Sequence, residues 1–231
     1  MLKSKAILSI LDKIEPRNLW YIVGYIATDG CLLNNGRSIA IVSKDKQILD
    51  DMNKALGLSL KLIVHKNGFG GSALRLHIGS VELYRFLLKI GLTTRKSLTL
   101  GPLGIPNNYF ADFFRGVIDG DGCIRGWVNA SNNYPQWSLT ITSGSYNFVS
   151  WLQEKLFDLC QVKGRIHSAQ RKDRKNRIYI LKFGKMTARE ILKKCYYGNC
   201  LVLERKNKIA QDCISVPNLF KTYGNVVARV L

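Results

Sequence analysis

A nine-residue pattern occurs twice in this chain and constrains its fold more than any other feature. The first copy is IVGYIATDG at residues 22–30, and the second is FRGVIDGDG at residues 114–122. Both run apolar, place a small residue third and seventh, and end in Asp-Gly. Each is followed by Cys and an apolar residue. The pattern predicts two helices. Small residues four apart, Gly24 with Thr28 and Gly116 with Gly120, allow close approach of two helix backbones. The expectation is a helix pair packed face to face, carrying one carboxylate each, Asp29 and Asp121.

The flanking sequence repeats as well. After the first motif, a hairpin is predicted at residues 31–42 with Asn34-Asn35-Gly36 as its turn, then a helix at 46–56. A second hairpin follows at 60–78 around the turn 67–71, then a helix at 81–90 that Ser80 caps and Gly91 ends. Residues 100–108 have the Gly/Pro punctuation of a linker. The order then restarts with a helix at 109–121, strands at 123–129 and 137–142, and a helix at 146–159. Strands at 162–168 and 177–183 and a last helix at 187–195 complete it. Asn18 is expected to cap the first motif helix, Gly30 to stop it, and Pro16 to close a short amphipathic helix at 1–16. The fold class is therefore α+β, two pseudo-symmetric αββαββα repeats, each with a four-stranded antiparallel sheet. The expected units are an N-terminal extension 1–16, repeats at 17–100 and 109–212, a linker 101–108 and a C-terminal tail 213–231.

Charge narrows the partner. The 231 residues hold 35 Lys and Arg against 16 Asp and Glu, a net +19, so a polyanion is the default ligand. The excess is shared, +7 over residues 17–100 and +9 over residues 107–212. Two similarly basic halves suit an extended anion lying across both; a ribosomal-type basic protein is the plainer alternative. The longest apolar run, residues 19–27, is too short for a bilayer, which needs about 20 residues, and the N-terminus lacks the features of a signal peptide. Six cysteines show no C-x-x-C, and no partner set completes a zinc site around Cys195 and Cys200. Buried free thiols in a reducing intracellular compartment are expected.

Asp-Gly at a helix end is common turn chemistry. Yet a carboxylate in the last turn faces the negative end of the helix dipole, and here it does so at the same point of both repeats. Two carboxylates ~5 Å apart at an effective dielectric of 20 repel by roughly 3 kcal/mol, so a proton or a hard divalent cation is expected between them. Asp119 in the second copy corresponds to Ala27 in the first, which argues against a catalytic role there.

Two copies of this motif about 90 residues apart in a basic αββαββα repeat resemble the LAGLIDADG homing endonuclease family in its single-chain, two-repeat form. The resemblance covers roughly residues 17–212. The first copy departs at its sixth position, Ala27, which varies in the family, while its eighth-position acid is intact. The resemblance implies a saddle of two sheets on the major groove of duplex DNA, with the motif helices at the interface. It implies that Asp29 and Asp121, with Gly30 and Gly122, bind Mg2+ (or Mn2+ or Ca2+) beside two scissile phosphates. It further implies a charge-stabilising or water-positioning lysine after each repeat's last helix, matched by Lys96 and Lys206, with Lys44 and Ser143 as candidates for the water network.

Strands of about 10 residues would span about 10 base pairs per half, hence an asymmetric target near 20 base pairs read by a monomer. Expected DNA contacts are Arg37, Lys61, Lys66, Arg75, Arg125, Asn132, Asn133, Gln136, Lys163, Arg165, Arg171, Lys172, Arg174, Lys175, Arg177 and Lys182. The leading expectation is a site-specific, metal-dependent DNA endonuclease. An RNA-binding intron maturase and a cleavage-inactive DNA-binding protein on the same fold are the alternatives; an intein is disfavoured, without the junction residues of protein splicing.

Overall fold

A computed structural model describes residues 10–66, 71–170 and 176–215. A short helix α1 (Ile10–Lys13) leads into α2 (Pro16–Asp29), which carries the first motif. Pro16 opens α2 instead of closing the helix before it. At the first helical position its missing N–H costs nothing and its φ is already helical. The cap is Glu15, not Asn18; its carboxylate accepts the Asn18 N–H at 2.9 Å.

The first repeat continues with β1 (Gly30–Leu32), β2 (Ser38–Ser43), α3 (Lys46–Ala55), β3 (Ile63–Lys66), β4 (Ser72–Gly79) and α4 (Val81–Lys89). The second runs α5 (Phe110–Asp121), β5 (Gly122–Val128), β6 (Pro135–Ser143), α6 (Tyr146–Cys160), β7 (Arg165–Ala169), β8 (Ile178–Phe183) and α7 (Lys185–Cys195). A further helix, α8 (Glu204–Ser215), is one the sequence pattern does not announce. Its buried residues are only Lys206, Ala210 and Cys213, a stripe too narrow and polar to stand out at helical spacing. It runs through residue 212, the expected end of the second repeat.

Each sheet is four-stranded and antiparallel, in the orders β1-β2-β4-β3 and β5-β6-β8-β7. The strands hold three to nine residues, shorter than the expected ten. Alternation fixes which face is covered, because successive side chains point to opposite sides. Ile39 pairs with Ile78 and Ile41 with Leu76; Leu139 pairs with Phe183 and Ile141 with Leu181. All eight are buried under the helices. The opposite, open faces carry the intervening residues.

The linker is itself anchored, with Leu100, Leu103 and Ile105 buried. The thiols depart from expectation: Cys195 and Cys213 are buried, but Cys31 and Cys123 are exposed on the first strand of each sheet. Among the described residues, no helix is long and apolar enough to cross a membrane.

Candidate active site and nucleic-acid interface

The helices α2 and α5 touch backbone to backbone, and the motif glycines are the reason. A Cβ on Gly24 would stand 2.0 Å from the Phe113 carbonyl oxygen, and one on Gly116 would stand 2.1 Å from that of Tyr21. One turn on, a Cβ on Gly120 would meet the Thr28 hydroxyl at 1.9 Å. Thr28 turns that hydroxyl back onto its own helix, donating to Tyr25 O at 2.9 Å.

Both helices end directly in a strand. Gly30 and Gly122 are extended, with φ of −92° and −75°, rather than left-handed stops. Glycine is needed there for space: a Cβ would lie 2.6 Å from the Cα of Ile26 or of Ile118. The fold thereby sets Asp29 and Asp121 at adjoining helix ends. Their carboxylates accept no hydrogen bond from any described residue. Both residues remain open to solvent on one side, while the packed helix ends remove water on the other. That burial pushes the Asp29 carboxyl up to about 6, and the Asp121 charge adds to it. Burial also raises Asp121, against the pull of Lys96 and Lys206.

The two lysines cap the motif helices. Lys206 Nζ donates to the carbonyls of Ile118 (2.8 Å), Asp119 (2.8 Å), Gly120 (3.0 Å) and Gly122 (2.7 Å). Lys96 Nζ donates to Gly30 O, and to Thr28 O at 3.5 Å. Each places a cation on the negative end of a helix dipole, and burial lowers the pKa of both ammonium groups. Gly30 and Gly122, expected at the metal, each accept one of these hydrogen bonds at the carbonyl oxygen. The two carboxylates form a hard anionic donor pair that suits a divalent ion. A cavity of about 140 Å³ opens beside Asp121, lined also by Thr28, Lys96, Ser97, Thr142 and Ser143 among others. Ser143 also accepts the Ser145 N–H at 3.1 Å, as Ser43 accepts that of Asp45 at 3.1 Å.

Asp119 faces away from this site. It is 1% exposed and accepts from Tyr21 Oη (2.8 Å), Tyr196 Oη (2.6 Å) and the Leu203 N–H (2.8 Å).

The open faces sort the expected DNA contacts. On the second sheet, Arg125 and Gln136 lie on the open side, and Cys123, Thr140, Lys182 and Arg165 form one cross-strand row there. On the first sheet the open side carries Cys31, Ala40 and His77 in a row, with Val42, Arg75, Ile63 and His65 beyond. Arg75 donates from Nη2 to His65 Nδ1 at 2.5 Å. Arg37, Asn132 and Asn133 sit exposed at turns, and Lys61 and Lys44 lie exposed outside the strands.

Three of the expected contacts leave the open face. Lys66 pairs with Ser72 on the opposite side of the pleat. Lys163 lies 5.0 Å from the Phe157 ring of α6. Arg177 donates to Ser168, which alternates to the covered side. Arg171, Lys172, Arg174 and Lys175 lie outside the described residues. The sequence reading missed the open-face histidines and Trp127; strict alternation from the buried neighbours Ile124 and Leu76 would have found them.

Residues 17–91 match the model of the LAGLIDADG-like domain. No curated protein matches in sequence. Solved structures do match in fold. The homing endonuclease I-WcaI bound to its DNA recognition sequence superposes with a TM-score of 0.56 at 14% identity, over 85% of this chain and 87% of that one. I-SmaMI bound to an uncleaved DNA target in the presence of calcium ions gives 0.55 at 13% identity, over 89% and 92%. Full-length DUF199/WhiA from Thermatoga maritima gives 0.52 at 15% identity, over 92% of this chain but 66% of that one. The chain thus has the two-repeat fold of the LAGLIDADG homing endonucleases, and residues 17–91 match the LAGLIDADG-like domain.

Proposed function

We propose that this protein is a site-specific DNA endonuclease that hydrolyses both strands of a long, asymmetric duplex with the help of divalent metal. One observation carries the reading: two water-facing carboxylates, Asp29 and Asp121, stand at adjoining helix ends without hydrogen-bond partners among the described residues. A buried acid that serves the fold is hydrogen-bonded, as Asp119 is, whereas Asp29 and Asp121 keep one side to water at the same point of both motifs. Asp29 and Asp121 would hold Mg2+, or Mn2+ or Ca2+ in its place. When bound, the metal supplies positive charge to phosphate oxygens and acidifies water.

The remaining residues position and neutralise. Lys96 and Lys206 fix the helix ends that carry the carboxylates and offset part of their negative charge. The cavity at Lys96, Asp121 and Ser143 has room for several waters beside the carboxylate. Arg75, Arg125, Gln136, Arg165 and Lys182 give the open faces the charge and hydrogen-bonding groups that contact phosphate and read base edges. Because both carboxylates belong to one chain, a monomer is complete, and because the two open faces differ, the target is asymmetric and near 20 base pairs.

A second reading, a DNA-binding protein that does not cut, draws support from Lys206, whose three N–H groups are shared among four carbonyls. Incubation with a randomised duplex library and Mg2+, then sequencing of the broken ends, separates the two. Cleavage at one recurrent sequence, lost in EDTA, is expected; retention of one sequence without breakage would establish the second reading.

A further inference from the structure

We propose that Arg205 binds a backbone phosphate at the Asp29 centre, with its guanidinium braced from the other repeat by Asp45. The inference rests on the endonuclease reading and adds to it a residue outside the strand faces and outside the repeated motif.

Arg205 and Lys206 both lie in the first turn of α8, the positive end of a helix dipole and a costly place for cations. Lys206 is compensated there by the carbonyls at the end of α5. Arg205 has one described partner: Nε donates to Asp45 Oδ2 at 3.0 Å. Its other N–H groups are unused among the described residues, and its side chain is 58% exposed.

That single contact crosses between the repeats, since Asp45 closes the junction from β2 to α3. Two more bonds hold the crossing in register. Gln47 Nε2 donates to Val202 O at 3.0 Å, and Gln47 Oε1 accepts the Glu204 N–H at 3.2 Å. The guanidinium is thereby kept near the first motif, where its charge acts on Asp29 alongside Lys206 and Lys96. An Arg with Nε committed and its Nη edge open presents the fork that phosphate takes in a bidentate contact.

The first repeat lacks an equivalent. Its matching residue, Arg95, sits in a left-handed turn with φ of 57° before a short 3-10 segment, Lys96–Leu98, with no hydrogen-bond partner among the described residues. The brace exists at one centre only, so its removal should act on one strand more than on the other.

Two measurements on the full chain test this, with Arg205→Ala, Arg205→Lys and Asp45→Asn and thermal unfolding to verify that each variant folds. The first is the salt dependence of binding to a random-sequence duplex without metal. Arg205→Ala should flatten the slope of log K against log salt by about 0.9, the value of one phosphate contact. Arg205→Lys and Asp45→Asn, which keep the cation, should leave the slope within about a third of that. An unchanged slope in Arg205→Ala, or the same loss in Asp45→Asn, overturns the proposal; the latter would make Arg205 an inter-repeat clasp.

The second uses the duplex recovered from the library, labelled on each strand in turn. Arg205→Ala should slow one strand at least ~10-fold more than the other, a factor for one charge-assisted contact, and nicked duplex should accumulate. Equal slowing of both strands overturns the proposal. If the wild-type chain cuts nothing, the endonuclease reading fails on its own, and the salt slope still decides whether Arg205 takes a phosphate.

Discussion

Position six of the motif is Ala27 in α2 and Asp119 in α5, and the surroundings explain both. On the second-repeat side, the segment following α7 folds back over α5, so Tyr196 and the Leu203 N–H, together with Tyr21, surround that position with donors. Arg115 extends the same polar seam. It donates to Asp112 Oδ1 (2.9 Å), Cys195 O (2.8 Å) and Leu201 O (2.9 Å), between the rings of Tyr21 and Tyr197. In α2 the matching residues are Ala27, Val23 and Trp20, and that flank is packed with apolar groups. Position eight is Asp in both copies and, among the described residues, hydrogen-bonded in neither. Where the repeats diverge, the acid is held by donors of the fold; where they agree, no described residue donates to it.

The largest effect should come from the shared position. Asp29→Asn and Asp121→Asn should each lower double-strand cleavage by at least ~10³-fold, the scale for a group that stabilises transition-state charge, while duplex affinity stays within about threefold. Gel assays of cutting and binding on one preparation measure both. Full cutting by either variant would break the equivalence of the two carboxylates.

The divergent position should show the reverse. Asp119→Ala strands three donors in the interior and should cost about 2 kcal/mol of stability, read by urea unfolding, yet leave strand cutting intact at low temperature. A loss of cutting with unchanged stability would make Asp119 part of the chemistry after all.

The open faces form a second contrast. Alanine at Arg125, Arg165 and Lys182 together should flatten the salt slope of binding by about 2–3, whereas Arg75→Ala should flatten it by about 1 at most. Equal slopes would mean that the first sheet draws its phosphate contacts from its turns.

The smallest effect concerns pH. The folded Asp29 carboxyl, near 6, lies above its ordinary value of 3.8. The folded state therefore binds that proton more tightly. This contribution to stability is complete below about pH 4 and is lost as pH rises through about 6. In metal-free buffer, Asp29→Asn should raise Tm by about 1–2 °C at pH 8, allowing for solvent screening, and should not raise it at pH 4. Scanning calorimetry at both values decides it, and a rise at both would point to packing rather than charge.

The repeat, both sheets, the helix pair and the eighth-position acids were legible in the sequence, because each is local. Apolar period, turn residues and small residues four apart report on neighbours within one element. Asp119 could be set apart from Asp29 and Asp121 by comparing the copies, before any partner was known. Lys96 and Lys206 could be placed near the helix ends through the family resemblance, but not their acceptors. Nothing in residues 203–206 says that an ammonium will meet four carbonyls some 85 positions away in the chain.

Tertiary structure alone decided the rest. It turned Pro16 from a stop into a start, and gave Gly30 and Gly122 a steric task. It placed Lys66, Lys163 and Arg177 away from the open faces. It also made α8, whose narrow buried stripe is visible only once α5, α7 and the second sheet are there to cover it. Side-chain period is a property of the chain itself, whereas burial, hydrogen-bond partner and local charge are properties of what folds against it. The two carboxylates were written in the sequence; their place side by side, with no donor to them among the described residues, was set by the packing of the two helices.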